Sequence, residues 1–113
     1  SYVQLIHTAQ QKGYIVTLLF FWLSSPEFAK DRVAARVQKG GHNIPFDIIE
    51  RRFYRGIANL CQLFMPICDD WAIFNNMAQE SRIVAIGGKD VDGLIANGDI
   101  YSTIVRQSQH DEK

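Results

Sequence analysis

The sequence lacks an excess of charge of either sign. Twelve lysines and arginines balance twelve aspartates and glutamates over 113 residues. A neutral chain has little long-range attraction for nucleic acids or membranes, so we expect neither DNA nor a membrane as a partner. The longest apolar run, YIVTLLFFWL (14–23), is too short to span a bilayer, and no signal peptide is visible. These absences favour a cytoplasmic protein.

Cysteine is also scarce. Cys61 and Cys68 are the two cysteines, and they lie seven residues apart. A structural zinc site needs more ligands and a closer first pair, so no metal site is predicted from them. We interpret both as reduced thiols that fill space in the core.

The composition indicates a folded domain, since 47% of the residues are hydrophobic and 21% are charged. At 113 residues the chain is long enough for one domain, and we see neither a linker nor an internal repeat. It begins at Ser1 without a methionine, and its first residues resemble the middle of an element. We therefore expect residues 1–113 to form a single domain that is part of a larger one.

Helical and strand patterns alternate along the chain, which predicts the α/β class. In the first half we predict a helix ending at Gly13, a strand over 14–23 buried on both faces as in a parallel sheet, and a helix from a Ser24–Glu27 capping box to Lys39. A helix follows from Pro45 to near Pro66, with Ile49, Phe53, Ile57, Leu60 and Phe64 on one face. The remaining predicted elements are strands over 71–75 and 82–86, a helix over 92–107 whose interruption at Gly98 is left open, and a polar, frayed tail over 108–113.

Five of the arginines lie within RVAARVQKGGHNIPFDIIERRFYR (32–55). Arg32 and Arg36 are one turn apart on the first of two predicted helices, where they border its apolar stripe. At about 100° per residue, Arg52 lies beside the Gly56 and Leu63 edge of the second helix's apolar face, whereas Arg51 points to solvent. This spacing favours a phosphate clamp, because a guanidinium is always charged and can bind phosphate oxygens in a bidentate way.

A plainer interpretation of the arginines remains open. Arg32 can pair with Glu27 or Asp31, and the others can simply keep the helices solvated. The residues between the helices are equally ambiguous. Gly41 can allow a ligand to approach or can only end a helix, and His42 can donate to a phosphate or be structural.

The residues that carry a family resemblance are Arg32-Val33, Arg36-Val37, Gly40-Gly41-His42, Ile44-Pro45, Ile49, Arg51-Arg52, Pro66, Asp70-Trp71 and Asn75-Asn76. With this pattern, the stretch 14–76 resembles the C-terminal half of the zeta-toxin-like P-loop kinases. More narrowly, it is similar to a short bacterial group known as predicted ABC-type ATPases. IVAIGGK (83–89) and the segment after it resemble the last strand and the end of that family.

The resemblance implies the C-terminal part of a P-loop NTPase-type parallel sheet, flanked by helices and carrying a helical lid. It implies ATP as phosphoryl donor, Mg²⁺ as cofactor, and a small-molecule acceptor such as a nucleotide sugar. By position, Arg36 and Arg52 would stabilise the transferred phosphoryl group. Arg32, Arg51, His42 and Gly41 would contact the nucleotide.

The sequence departs from the family in two places. It contains no G-x-x-x-x-G-K-[ST], since IGGKD (86–90) lacks the first glycine and the hydroxyl residue after Lys89. The family's groups for Mg²⁺ are therefore absent from this chain. Met77 follows Asn75-Asn76 where the family has an Asp-Asn-Ser-like turn. We expect that the chain alone does not turn over ATP.

Two other functions stay open. The chain can be a catalytically inactive interaction module, such as a remnant bound by an antitoxin. It can also be a helix–turn–helix DNA binder, although the loop KGGHNIP (39–45) is longer than the usual turn. In addition, the segment TLLFFW (17–22) would be exposed if neighbouring strands were missing. A protein partner or a homodimer is then expected to cover it.

Overall fold

The computed structural model describes residues 1–110, which contain both helices and strands. In chain order the elements are α1 (Tyr2–Gln11), β1 (Thr17–Trp22), α2 (Pro26–Gln38), α3 (Phe46–Asn59) with a π-helical continuation (Leu60–Phe64), β2 (Asp70–Asn75), β3 (Arg82–Gly88), β4 (Val91–Ile95) and α4 (Gly98–Ser108). The α/β class predicted from the sequence is confirmed.

The four strands form one mixed sheet in the order β1-β2-β3-β4. β1 and β2 are parallel, while β3 and β4 each run antiparallel to the preceding strand. In register, Phe20 of β1 lies beside Ile73 of β2, which lies beside Ala85 of β3. The parallel arrangement expected for the whole sheet thus holds for its first pair of strands.

One face of the sheet, here called the covered face, carries the helices and the core. Its central side chains include Trp22, Ile73 and Val84, which pack with Ile57 of α3 and Ile104 of α4. Four of them are fully buried, namely Ile73, Val84, Ile57 and Ile104. α2 lies outside this layer, against α3.

The opposite face of the sheet, here called the open face, is not covered by the described residues. Along β1 the side chains alternate, so that Leu18 and Phe20 are partly buried while Leu19 and Phe21 are exposed. The prediction that this strand is buried on both faces was wrong. A continuous apolar run is equally compatible with a strand that has helices on one side only, because the pattern alone does not show what covers each face.

Two helices end at glycines, as predicted. Gly13 after α1 and Gly40 after α2 both have positive φ, at 88° and 97°. After α2, the N–H of Gly40 donates to the carbonyl of Val37 and the N–H of Gly41 donates to the carbonyl of Arg36. This pair of bonds is the Schellman arrangement, which satisfies the last free carbonyls of a helix.

The start of α2 differs from the expected capping box. Ser25, rather than Ser24, is the N-cap residue, and its side chain makes no capping hydrogen bond. Pro26 begins the helix, where its missing N–H costs nothing, and Glu27 lies in the first turn near the positive end of the helix dipole.

The apolar face predicted for α3 is confirmed, since Ile49, Ile57 and Leu60 are buried. The π-helical turns that follow were not predicted. In this turn the N–H of Met65 donates to the carbonyl of Leu60, five residues earlier, at 2.9 Å. This widened turn ends the helix just before Pro66.

The helix predicted over 92–107 was wrong in its first part, and the interruption left open at Gly98 coincides with the start of α4. The first part of that segment is β4, which forms a hairpin with β3 through a two-residue loop at Lys89 and Asp90. α4 begins only after Asn97, whose Oδ1 accepts a hydrogen bond from the N–H of Ile100 at 3.1 Å. Residues 111–113 of the tail predicted to be polar and frayed lie outside the described residues, while Ser108 belongs to α4.

Candidate functional site

The two arginine-bearing helices, α2 and α3, pack against each other. Residues 39–45 connect them, and this segment is longer than the turn of a helix–turn–helix motif. The Nζ of Lys30 on α2 lies 5.9 Å from the ring centroid of Phe46 at the start of α3. His42 is exposed in the connecting segment. The Gly41 N–H is engaged by the carbonyl of Arg36 at 2.8 Å.

Arg32 reaches from α2 to the end of β2. Its Nη2 donates to the backbone carbonyl of Asn76 at 2.9 Å. The turn that presents this carbonyl is held by two further bonds, from the N–H of Met77 to Oδ1 of Asn75 and from Oγ of Ser81 to Oδ1 of Asn76. The guanidinium of Arg32 is therefore fixed beside the carboxyl end of a parallel strand.

Arg52 lies at the carboxyl end of the neighbouring strand, β1. It lines a cavity of about 160 Å³. The other lining residues are Phe20, Phe21, Trp22, Leu23, Phe53, Gly56 and Ile57. The sequence prediction that Arg52 borders the apolar face beside Gly56 is consistent with this arrangement.

Arg36 and Arg51 are exposed, as are Arg32 and Arg52. Arg36 is one turn beyond Arg32 on α2, so its side chain leaves the helix on a similar side. Arg51 precedes Arg52 on α3, and the step of about 100° between adjacent residues turns it away from the cavity. Within the described residues no hydrogen bond of either side chain is recorded.

Positive charge is concentrated on this part of the protein. Seven basic and four acidic side chains lie between residues 26 and 55, which gives the segment a net charge of +3 in a neutral chain. Across residues 1–110, no carboxylate lies within ion-pairing distance of Arg32, Arg36, Arg51 or Arg52. The Arg32 pairing with Glu27 or Asp31 that the plainer interpretation allowed is therefore not formed.

The opposite end of β1 is organised by a carboxylate. Oδ2 of Asp69 accepts from the N–H of Val16 at 2.8 Å and from Nε2 of Gln10 at 3.2 Å. Oδ1 of Asp69 lies 3.4 Å from Nζ of Lys89. The Val16 N–H, then the Gln10 amide and then Lys89 lower the pKa of Asp69, because each stabilises the ionised carboxylate. This group ties α1 to the sheet and is structural.

The two thiols are poor candidates for chemistry. Burial raises the pKa of both Cys61 and Cys68, and Cys68 is fully buried. A raised pKa keeps a thiol protonated and inert, as the packing interpretation expects. In the described part of the chain, no group of three or more His, Cys, Asp or Glu side chains is arranged to hold a metal ion.

Sequence reasoning missed two features of this region. The first is the Asn76 carbonyl as the partner of Arg32, which lies 44 residues away along the chain. The second is a groove of about 470 Å³ between α3 and the end of α4, where the rings of Tyr54 and His110 stack at a centroid distance of 3.6 Å. No short motif in the sequence indicates either contact.

No protein-family model matches the chain, and neither the curated proteins nor the solved structures include a match to it. Among the described helices, none combines the length and the apolarity that a membrane crossing requires.

Proposed function

We propose that this chain carries the arginine-bearing half of an ATP-dependent phosphotransferase of the zeta-toxin-like kind. The observation that carries the proposal is the convergence of Arg32 and Arg52. They come from consecutive helices, yet each approaches the carboxyl end of one of the two parallel strands. In open α/β sheets, ligands bind in the crevice beyond the carboxyl ends of parallel strands.

The donor groups fit a polyphosphate. The guanidiniums of Arg32, Arg36, Arg51 and Arg52 are without a carboxylate partner in residues 1–110, so their charge is available to an anion. Arginine binds phosphate oxygens through a planar fork of N–H donors. Mg²⁺ finds no comparable set of ligands among the described residues, so no step is assigned to it.

Each arginine has a distinct role in this proposal. Arg32, held by the Asn76 carbonyl, and Arg51 would contact the nucleotide phosphates, with His42 and Gly41 near the same lid. Arg36 and Arg52 would stabilise charge on the transferred phosphoryl group. ATP supplies that phosphoryl group when bound, and the acceptor is a small molecule such as a nucleotide sugar.

Titration calorimetry with ATP tests the site. Replacing Arg32 or Arg52 with alanine is expected to weaken ATP binding by about ten- to a hundredfold, the loss of one charge-assisted hydrogen bond. Arg106→Ala is the matched control, because Arg106 is an exposed arginine on α4 whose recorded contact is with Thr103. Equal affinities in the Arg32, Arg52 and Arg106 variants would contradict the proposal.

Catalysis requires a separate test. Because the 113 residues contain no G-x-x-x-x-G-K-[ST], we expect the purified chain to bind ATP without hydrolysing it. Phosphate release measured with and without the Arg36→Ala substitution checks this expectation. If the unaltered chain hydrolyses ATP and the variant does not, the expectation that the chain binds ATP without turnover is wrong.

A second candidate function, that of an interaction module without catalysis, is favoured by the open face of the sheet. Leu19 and Phe21 on this face are 55% and 51% exposed. A chain that fails to bind ATP but forms a defined complex through these residues would support this second candidate over the first.

A further inference from the structure

The open face of the sheet is a continuous apolar surface. Leu19 and Phe21 of β1, Ile83 and Ile86 of β3 and Leu94 of β4 are between 40% and 64% exposed. Strand register places Phe74 of β2 between Phe21 and Ile83, and the rings of Phe21 and Phe74 stack at 5.2 Å. The surface therefore extends across all four strands.

The size of this surface is close to what a dimer needs. Taking about 200 Å² for a fully exposed large apolar residue, its five exposed side chains present roughly 500 Å². That is at the upper end for the largest apolar patch of a typical monomer. Two such surfaces packed together would bury about 1,000 Å² before their rims are added, which reaches the lower bound for a specific interface.

Carboxylates lie at one end of the open face and not within it. Asp70 begins β2 and Asp92 lies near the start of β4, and both line a shallow cavity of about 300 Å³ with Ala72 and Ile86. Because β3 runs the other way, Arg82 at its start lies at the opposite end of the sheet, and it alternates with open-face Ile83, so its side chain leaves the sheet on the other face. Arg52 lies at that same end but on α3, which packs on the covered face, so the charges that border the open face are the carboxylates.

We propose that the open face binds the open face of a second copy of this chain. The two copies are related by a two-fold axis that lies between the two sheets and runs perpendicular to the strands. This arrangement places the Asp70 and Asp92 carboxylates of the two copies at opposite ends of the interface. A two-fold axis parallel to the strands would instead oppose the carboxylates of the two copies, which is unfavourable. The product is a closed dimer with two sheets at its centre and helices outside.

This inference does not depend on the proposed kinase site. Neutral overall charge removes long-range repulsion between identical chains. Sheets stack face to face at about 10 Å through interdigitating side chains, and the aliphatic and aromatic residues of the open face are suited to such packing.

Sedimentation velocity over a range of micromolar concentrations tests the dimer. The unaltered chain is expected to sediment as a dimer, and Leu19→Lys is expected to sediment as a monomer. Leu5→Lys is the matched control, since Leu5 is 61% exposed on α1, away from the open face, and this variant should remain dimeric. Leu94→Glu on the edge strand β4 gives a second variant in case Leu19→Lys misfolds.

A cysteine variant tests the symmetry. With the axis perpendicular to the strands, β1 of one copy lies over β1 of the other, so Leu19→Cys should form an intermolecular disulfide under mild oxidation faster than Leu5→Cys. Three results would overturn the proposal: a monomer at every concentration, an open-ended series of larger species, or a dimer that survives both Leu19→Lys and Leu94→Glu.

Discussion

The two faces of the sheet are made of similar side chains, yet only one of them forms a core. Ile73 and Ile86 are both strand isoleucines, one on the covered face and fully buried, the other on the open face and 40% exposed. The difference arises from where α3 and α4 pack and not from the strands. Both faces of the sheet are thus hydrophobic, and the packing of the helices determines which face becomes part of the core.

The largest expected difference between the two faces comes from truncating one isoleucine on each of them. Ile73→Ala is expected to lower the free energy of unfolding by about 2–5 kcal/mol, because it removes buried atoms and leaves a cavity. Ile86→Ala is expected to lower it by about 1 kcal/mol or less. Urea denaturation at a dilution where the chain is monomeric measures both. Equal losses would mean that the open face is buried in the monomer.

A smaller effect is expected from adding atoms to the covered face. A Cβ at Gly87 would lie 2.5 Å from Cζ2 of Trp71, so Gly87→Ala should lower the stability by about 1–3 kcal/mol through overpacking. Gly56 has no atom within 4 Å of such a Cβ, and Gly56→Ala in the helix should raise stability by up to about 1 kcal/mol. If thermal unfolding shows that both substitutions raise the stability, or that both lower it, the expected difference between Gly87 and Gly56 is wrong.

The smallest effect is expected at Asp69, where α1 joins the edge of the sheet. The pKa of Asp69 is lowered from 3.8 in the folded state, so its contribution to stability is complete above about pH 3.8 and is lost as the pH falls through the folded value. Asp69→Asn should therefore be less stable at neutral pH and should lose less on acidification.

Circular dichroism melts from neutral pH to about pH 2 measure this dependence, with Asp70→Asn as the control. Asp70 is the exposed neighbour of Asp69, and no hydrogen bond of its side chain is recorded in residues 1–110. An Asp69→Asn variant with the same acid dependence as the unaltered chain would show that Lys89, Gln10 and Val16 do not stabilise the carboxylate.

Much of the fold could be predicted because local signals were strong. Gly13 and Gly40 ended helices where their spacing indicated, and the apolar face of α3 followed from its period. The last element was misjudged because the apolar residues of β4 and α4 together imitate one helix, although Asn97 and Gly98 separate them. The Asn97 cap was the local signal for the boundary.

The candidate site was predictable only in part. The angular position of Arg52 follows from helical geometry, which correctly associates it with Gly56. The partner of Arg32 depends on how α2 lies over the end of β2, and such long-range placement leaves no trace in a short motif. The uncovered face likewise depends on tertiary packing, which a strand pattern does not encode.

The way α1 is attached has a consequence for the chemistry of Cys68. Ile6 is the buried side chain of α1, and Gln10 links the helix to Asp69 and to the carbonyl of Ile67. Tyr2 and Ile6 line the same cavity as the Cys68 side chain, so α1 shields this thiol from solvent. Alkylation of Cys68 must therefore wait for α1 to detach, and its rate reports how often the helix opens while the sheet stays intact.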